Sequence, residues 1–177
     1  TINLTSTTNG GLWSVNNTNA AINASGVLTG QAAGSTTVSY AITDGNNCTT
    51  TLTANKTIHA LPTVAAISGP NAVCVGSNIT LTNTTLGGQW LVNNANASIN
   101  ASGMLSGQTA GTTTVSYTVT DANGCVSTVT ANKTIHALPT VAPITGSAAV
   151  CVGSTILLSN STTGGIWSVN NINATIN

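Results

Sequence analysis

Few side chains in this sequence can do chemistry, and each kind recurs. The ionisable set is Lys56 and Lys133, Asp44 and Asp121, His59 and His136, and four cysteines at 48, 74, 125 and 151. Nucleophilic catalysis needs a base beside its nucleophile. Each histidine stands two residues before a Leu-Pro pair with no acid near it in sequence, so a triad has no support. Paired-carboxylate chemistry fails because each stretch of chain between the cysteines' recurrences holds a single acid. The expectation is a protein that is not an enzyme and carries no cofactor and no metal site. Asp121-Ala122-Asn123-Gly124 resembles the opening of a calcium loop, but Asn132 stands where the bidentate glutamate belongs, and calcium wants more charged oxygen than this. A turn is the better reading.

The cysteines leave a real choice. Cys74 with Cys125 is the preferred disulfide, as one staple for one small domain. The alternatives are Cys48–Cys74 with Cys125–Cys151, free thiols, or bonds to parts of a longer chain. Geometry decides, since the two Cα atoms must lie within ~7 Å. The preferred bond requires the turn Ser68–Asn71 to hold Cys74 near the Cys125 hairpin.

These residues recur because the chain repeats itself. Trp13, Trp90 and Trp167 are spaced by 77 residues, as are Cys48 with Cys125 and Cys74 with Cys151, and Thr53–Val64 is identical to Thr130–Val141. A period of that length is one small domain in an array. Residues 61–137 form the complete copy. Residues 1–60 read as the C-terminal part of a truncated copy and residues 138–177 as the N-terminal part of another.

Net charge is zero, from two lysines against two aspartates. Nucleic-acid binding needs a basic stripe to neutralise phosphates, so it is excluded. Polybasic membrane attachment fails on the same ground, and no apolar run approaches the ~20 residues of a membrane span. Regular cysteines in a Thr- and Asn-rich repeat point to an oxidising, extracellular setting. Asn-x-Ser/Thr triplets recur, among them Asn78, Asn83, Asn96, Asn100 and Asn132. Chance in such a composition is the simpler account of them than glycosylation.

No segment shows a 3.6-residue period, and short β-branched runs alternate with Gly, Asn and Pro. In the complete copy the expected strands are Thr63–Ile67 at an edge, Asn78–Thr82, Gln89–Val92, Ser98–Asn100, Met104–Ser106, Thr112–Thr120 and Val126–Ile135. Asp121–Gly124 makes the last hairpin, with Asn and Gly supplying positive φ. Seven or eight such strands imply an all-β sandwich, with Trp90 and Tyr117 in its core.

The segments Trp90-Leu91-Val92-Asn93-Asn94, Ala97–Gly107 and Ala110–Tyr117 resemble bacterial Ig-like domains of group 2. Val73-Cys74-Val75-Gly76-Ser77 with Asn123-Gly124-Cys125 is similar to repeats of giant cell-surface adhesins from gliding, type-IX-secreting bacteria. The resemblance implies tandem Ig-like β-sandwich domains arranged head to tail in a long extracellular filament or stalk. A self-assembling fibre or sheath with laterally packed chains is the alternative, and a carbohydrate-binding module a weaker third. The implied partners are neighbouring repeats, other copies of the filament, and surface or glycan ligands. Such adhesins sometimes carry Lys–Asn isopeptide crosslinks, which need a buried acid beside the lysine, and none can be placed near Lys133. Strand direction adds one more expectation: Lys56 ends one copy and Asp121 sits in the hairpin of the next, so the two should meet across the junction, and Lys133 should reach the following copy likewise.

Overall fold

The computed structural model describes all residues, Thr1–Asn177. The fold is all-β, and it divides into two compact units, Thr1–His136 and Ala137–Asn177. Thirteen strands all lie in the first unit. Its first copy holds β1 (Ile2–Asn3), β2 (Leu12–Val15), β3 (Ala20–Ile22), β4 (Val27–Gly30), β5 (Gly34–Thr43) and β6 (Thr49–Ile58). Its second holds β7 (Ala72–Cys74), β8 (Asn78–Thr80), β9 (Gln89–Val92), β10 (Ala97–Ile99), β11 (Met104–Gly107), β12 (Gly111–Thr120) and β13 (Val126–His136).

In the second copy a four-stranded sheet, ordered β7-β13-β12-β9, faces a three-stranded sheet, ordered β10-β11-β8. Strict alternation makes β12 the central strand: Thr113, Val115, Tyr117 and Val119 are all buried, while their neighbours face outward. The core joins both sheets. Val73, Val115 and Ile135 come from one, Ala97 and Leu105 from the other, and Leu81 follows β8. The first copy repeats the pattern around Ala20, Leu28 and Val38. Its sheet β2-β5-β6 ends at β6, with no strand in the place of β7.

Two expected features differ. Thr63–Ile67 forms no ladder; its backbone is held instead by side chains, with Thr85 Oγ1 accepting from Ala65 N–H at 2.9 Å and Asn83 Nδ2 donating to Ala65 O at 2.6 Å. Pro62 in this segment has no N–H to give a ladder. The second difference is at the hairpin. Asp121 and Cys125 bracket a three-residue loop in which Gly124 alone takes positive φ, 79°. That is the type I turn plus left-handed residue of three-residue hairpins. Asn47 takes the same place in the first copy at φ 64°, since asparagine tolerates this region better than other L residues.

The unit Ala137–Asn177 shows what the sheet contributes. Ala149–Cys151 matches β7 in sequence, and Thr155–Leu157 matches β8, yet only an isolated Thr145–Ser159 bridge forms. The counterparts of β12 and β13, on which β7 and β9 pair in the first unit, do not occur within these residues. The local clamp survives: Thr162 Oγ1 accepts from Ala142 N–H and Asn160 Nδ2 donates to Ala142 O.

Candidate functional site

Tyr117 is buried and Trp90 half-buried, with ring centroids 4.6 Å apart and planes tilted by 51°. The tyrosine hydroxyl donates to Thr85 O at 2.7 Å and accepts from Gly88 N–H at 2.9 Å. It thereby ties the Gly87-Gly88 bend to the central strand. Gly88 must lack a side chain, because a Cβ there would meet the Tyr117 ring at 2.3 Å. Tyr40 makes the same two bonds, to Thr8 O at 2.7 Å and from Gly11 N–H at 2.9 Å. Trp90 packs against the core cluster, so its inner face is a packing surface.

Lys133 is only 2% exposed. Its position on β13 shares parity with Ile135, so its chain runs between the sheets opposite Thr113. Nζ donates to Asn71 Oδ1 at 3.0 Å, and burial lowers its pKa below 10.5. Asn71 lies 62 residues away in sequence, and nothing in local pattern marks it as a partner. An asparagine is thus in reach, as an isopeptide crosslink requires, but no acid is. Asp121 precedes β13, and the strand residues from Val126 to Lys133 that separate the two span roughly 25 Å at ~3.3 Å each. The pair of Lys133 and Asn71 is a hydrogen bond that pins the turn before β7 onto β13.

The same register corrects the expected junction pair. Lys133 points into its own copy and does not reach a following one. Lys56, its counterpart, turns the same way and lines a 230 Å³ cavity with Leu4, Trp13, Val38 and Tyr40. In the second copy the matching wall is covered by Ile67 and Asn71. The charge that acts on Asp121 is that of His59, three residues further along than Lys56. An inward-facing residue two from the end of a strand cannot reach past that end; a residue beyond the end can.

Asp121 Oδ1 accepts from Asn123 N–H at 2.9 Å and Cys125 N–H at 2.8 Å. Its pKa is lowered, chiefly by the Cys125 N–H, then by that of Asn123 and by His59, against a smaller desolvation. Asp44 is lowered in the same way by Cys48 and Asn46. These carboxylates are turn-closing acceptors. No three His, Cys, Asp or Glu side chains gather as metal ligands would.

All four cysteines are free, and Cys48, Cys74 and Cys151 are exposed. The preferred Cys74–Cys125 bond does not form, for a plain reason. Cys74 pairs in parallel register with His136, at the last residue of β13, while Cys125 precedes its first. Eleven residues at ~3.3 Å each put them about 36 Å apart. The turn Ser68–Asn71 does not bring Cys74 back, because Asn71 O accepts from Thr134 N–H near the same far end. Cys48 and Cys74 are no closer, one in the hairpin of the first copy and the other at the far end of the second.

Sequence reading missed the work of the asparagines. Asn93 Oδ1 accepts from Thr114 N–H at 2.9 Å and Thr113 Oγ1 at 3.2 Å, and both Asn94 and Asn96 donate to Thr112 O. Asn100 Oδ1 accepts from Ser102 and Met104 N–H. The amide nitrogens of Asn83 and Asn96, two of the Asn-x-Ser/Thr sites, are engaged as donors. Asn16 and Asn93 occupy equivalent places with equivalent bonds, and that equivalence is the signal the period offered.

No protein-family model matches the chain, and no curated protein matches it. Among solved structures it is similar to surface-layer protein SbsC, domains 1–6, at 17% identity and TM-score 0.27, over 83% of this chain and 24% of that one. A second structure, of the S-layer protein rSbsC(31–844), aligns at 16% identity and TM-score 0.28, over 91% of this chain and 24% of that one. The chain thus spans about a quarter of the length of the proteins it resembles, and at such scores they assign it no fold or activity.

Proposed function

We propose that this chain is a structural segment of a long extracellular filament or stalk, built from Ig-like sandwiches joined head to tail in a bacterial cell-surface adhesin. The observation that carries the reading is the recurrence, one period apart, of whole tertiary devices: the tyrosine clamp, the asparagine brackets and the hairpin carboxylate. The link is short as well. Only seven residues separate Ile58, the last of β6, from Ala65, which is already tied to Thr85 of the second copy. A short link limits bending, so each copy adds length. Ligand contact is left to other parts of the protein, or to weak surface and glycan contacts that gain from multivalency.

The test is small-angle scattering on chains with increasing numbers of copies. The maximum dimension is expected to grow by a constant step of roughly 35–45 Å per copy, set by strand length at ~3.3 Å per residue. A step near zero, from copies folding back on each other, overturns the reading.

The laterally packed fibre keeps one observation in its favour. Leu12 and Leu91 are 76% and 66% exposed on β2 and β9, which are edge strands, and no lysine guards either edge. Sedimentation separates the two: concentration-independent single chains support the stalk, and side-by-side association supports the fibre.

A further inference from the structure

The four free cysteines follow one rule. We propose that where two complete copies succeed one another as the first and second do here, the β7-type cysteine of the leading copy bonds to the hairpin cysteine of the following copy. Each junction of the array then carries one covalent staple. The inference rests on the head-to-tail reading above and deepens it.

The place of the leading cysteine is set by strand register. In the second copy, Cys74 lies beside His136 in a parallel pair, with Val75 N–H donating to His136 O at 2.9 Å. In the first copy His59 holds the position of His136, and the residues that would form a β7 there fall before Thr1 in the period. A β7-type strand of the first copy therefore brings its cysteine alongside His59, one strand spacing away, ~4.8 Å.

The following cysteine approaches the same spot from the other side. The second copy is entered at its hairpin end: Ala65 binds Thr85, whose carbonyl accepts from Tyr117, four residues before Asp121. Asp121 N–H donates to Cys125 O at 3.0 Å, so the two residues face each other across the loop. Asp121 feels the charge of His59. The leading cysteine and Cys125 are thus both neighbours of one histidine.

The rule also explains the unpaired thiols. The partner of Cys125 precedes Thr1, and the partner of Cys74 lies one period beyond Cys125. No pair that the rule allows falls inside this chain. Bond formation is a two-electron exchange. One thiolate attacks a small-molecule or enzyme-held disulfide, and the second displaces the mixed disulfide formed. The protein loses two protons and two electrons, and the oxidant leaves as two thiols.

The experiment extends the chain at its N terminus by the sequence Leu61–Ser77, which completes the first copy in register. The extended chain is oxidised with oxidised glutathione, alkylated, digested without reduction and mapped. The expected result is loss of Cys125 alkylation and one linked peptide joining the added cysteine to Cys125, with Cys48, Cys74 and Cys151 alkylated. Moving the added cysteine one residue along its strand should abolish the link. A link from Cys125 to any other cysteine overturns the proposal. So does full alkylation of Cys125 while hydrogen exchange shows β12 and β13 protected in both the extended chain and its Cys125→Ser variant. Should the extension itself fail to fold, the same mapping on two successive copies of Leu61–Ala137 decides the matter by the same outcomes. Scattering on the reduced chain keeps the two ideas apart: an elongated particle without the link sinks the staple alone, and a folded-back one sinks the array.

Discussion

Lys133 illustrates how one residue can be costly and useful together. Burying an ammonium with a single amide partner is unfavourable unless the charge is fully satisfied. Two changes should therefore have opposite effects. Lys133→Met keeps the volume and removes the charge, and is expected to leave the second copy as stable as the parent or more so. Asn71→Ala leaves the charge without its acceptor, and is expected to cost about 1–3 kcal/mol. Hydrogen exchange of β13 amides reads both. The pKa of Lys133 is lowered on folding, so the unfolded chain binds more protons in the window below the ordinary value of 10.5. Stability then rises with pH through that window, and the difference between parent and Lys133→Met should shrink from pH 7 to pH 10. A gap that stays constant would mean the amine keeps its solution pKa. At the acid end the sign is reversed. Asp44 and Asp121 have lowered pKa values, so their contribution is full above about pH 4 and is lost as pH falls through the folded values. Asp121→Asn should flatten the acid limb of the second copy and change nothing between pH 5 and 8.

At the scale of the element, the Gly87-Gly88 bend offers a clean separation of causes. Gly87 has φ of 81° with open space around it, whereas Gly88 collides with Tyr117 if given a Cβ. Gly87→Ala should cost about 1 kcal/mol, from backbone strain alone. Gly88→Ala should cost more, about 1–3 kcal/mol, because the ring is backed by the core and must move. Tyr117→Phe removes both hydroxyl bonds and should cost roughly 1–3 kcal/mol. If the clamp acts as one device, Gly88→Ala and Tyr117→Phe will be non-additive in a double-mutant cycle. Trp90→Ala is expected to cost about 3 kcal/mol, the low end for a tryptophan, because the side chain is only half-buried. Thermal unfolding of the four variants ranks them, and an innocuous Gly88→Ala would show that the ring yields freely.

For the whole molecule, the unit Ala137–Asn177 is the natural control. Val150 and Val152 are 47% and 107% exposed, although they repeat a text that is paired or packed in the second copy. Appending the sequence Ala101–Ala137 after Asn177 would complete the third copy in register. Amides of 149–151 and 155–157 should then gain strong exchange protection, since a β-ladder forms only when its partner is present. Unchanged exchange would mean that the segment cannot form the sheet that its counterpart forms. The low charge makes a further expectation: unfolding midpoints should barely move between low and moderate ionic strength, because few charges exist to be screened.

Periodicity, composition and alternation were enough to read an all-β chain, its repeat, the long strands near Gly111–Thr120 and Val126–His136, and the inward faces of Val115, Tyr117 and Val119. These are local properties, since parity along a strand decides what faces the core. The hairpin turn was legible for the same reason, though not which residue takes positive φ. Long-range pairing was not legible. Asn71 reaches Lys133 across 62 residues, and Cys74 meets His136 at the far end of β13 from Cys125. Both follow from β7 pairing in parallel with the end of β13, and local sequence cannot say which strand an edge segment will join or in which direction. That one choice of partner separates the cysteines, buries the lysine and hands the charge beside Asp121 to His59.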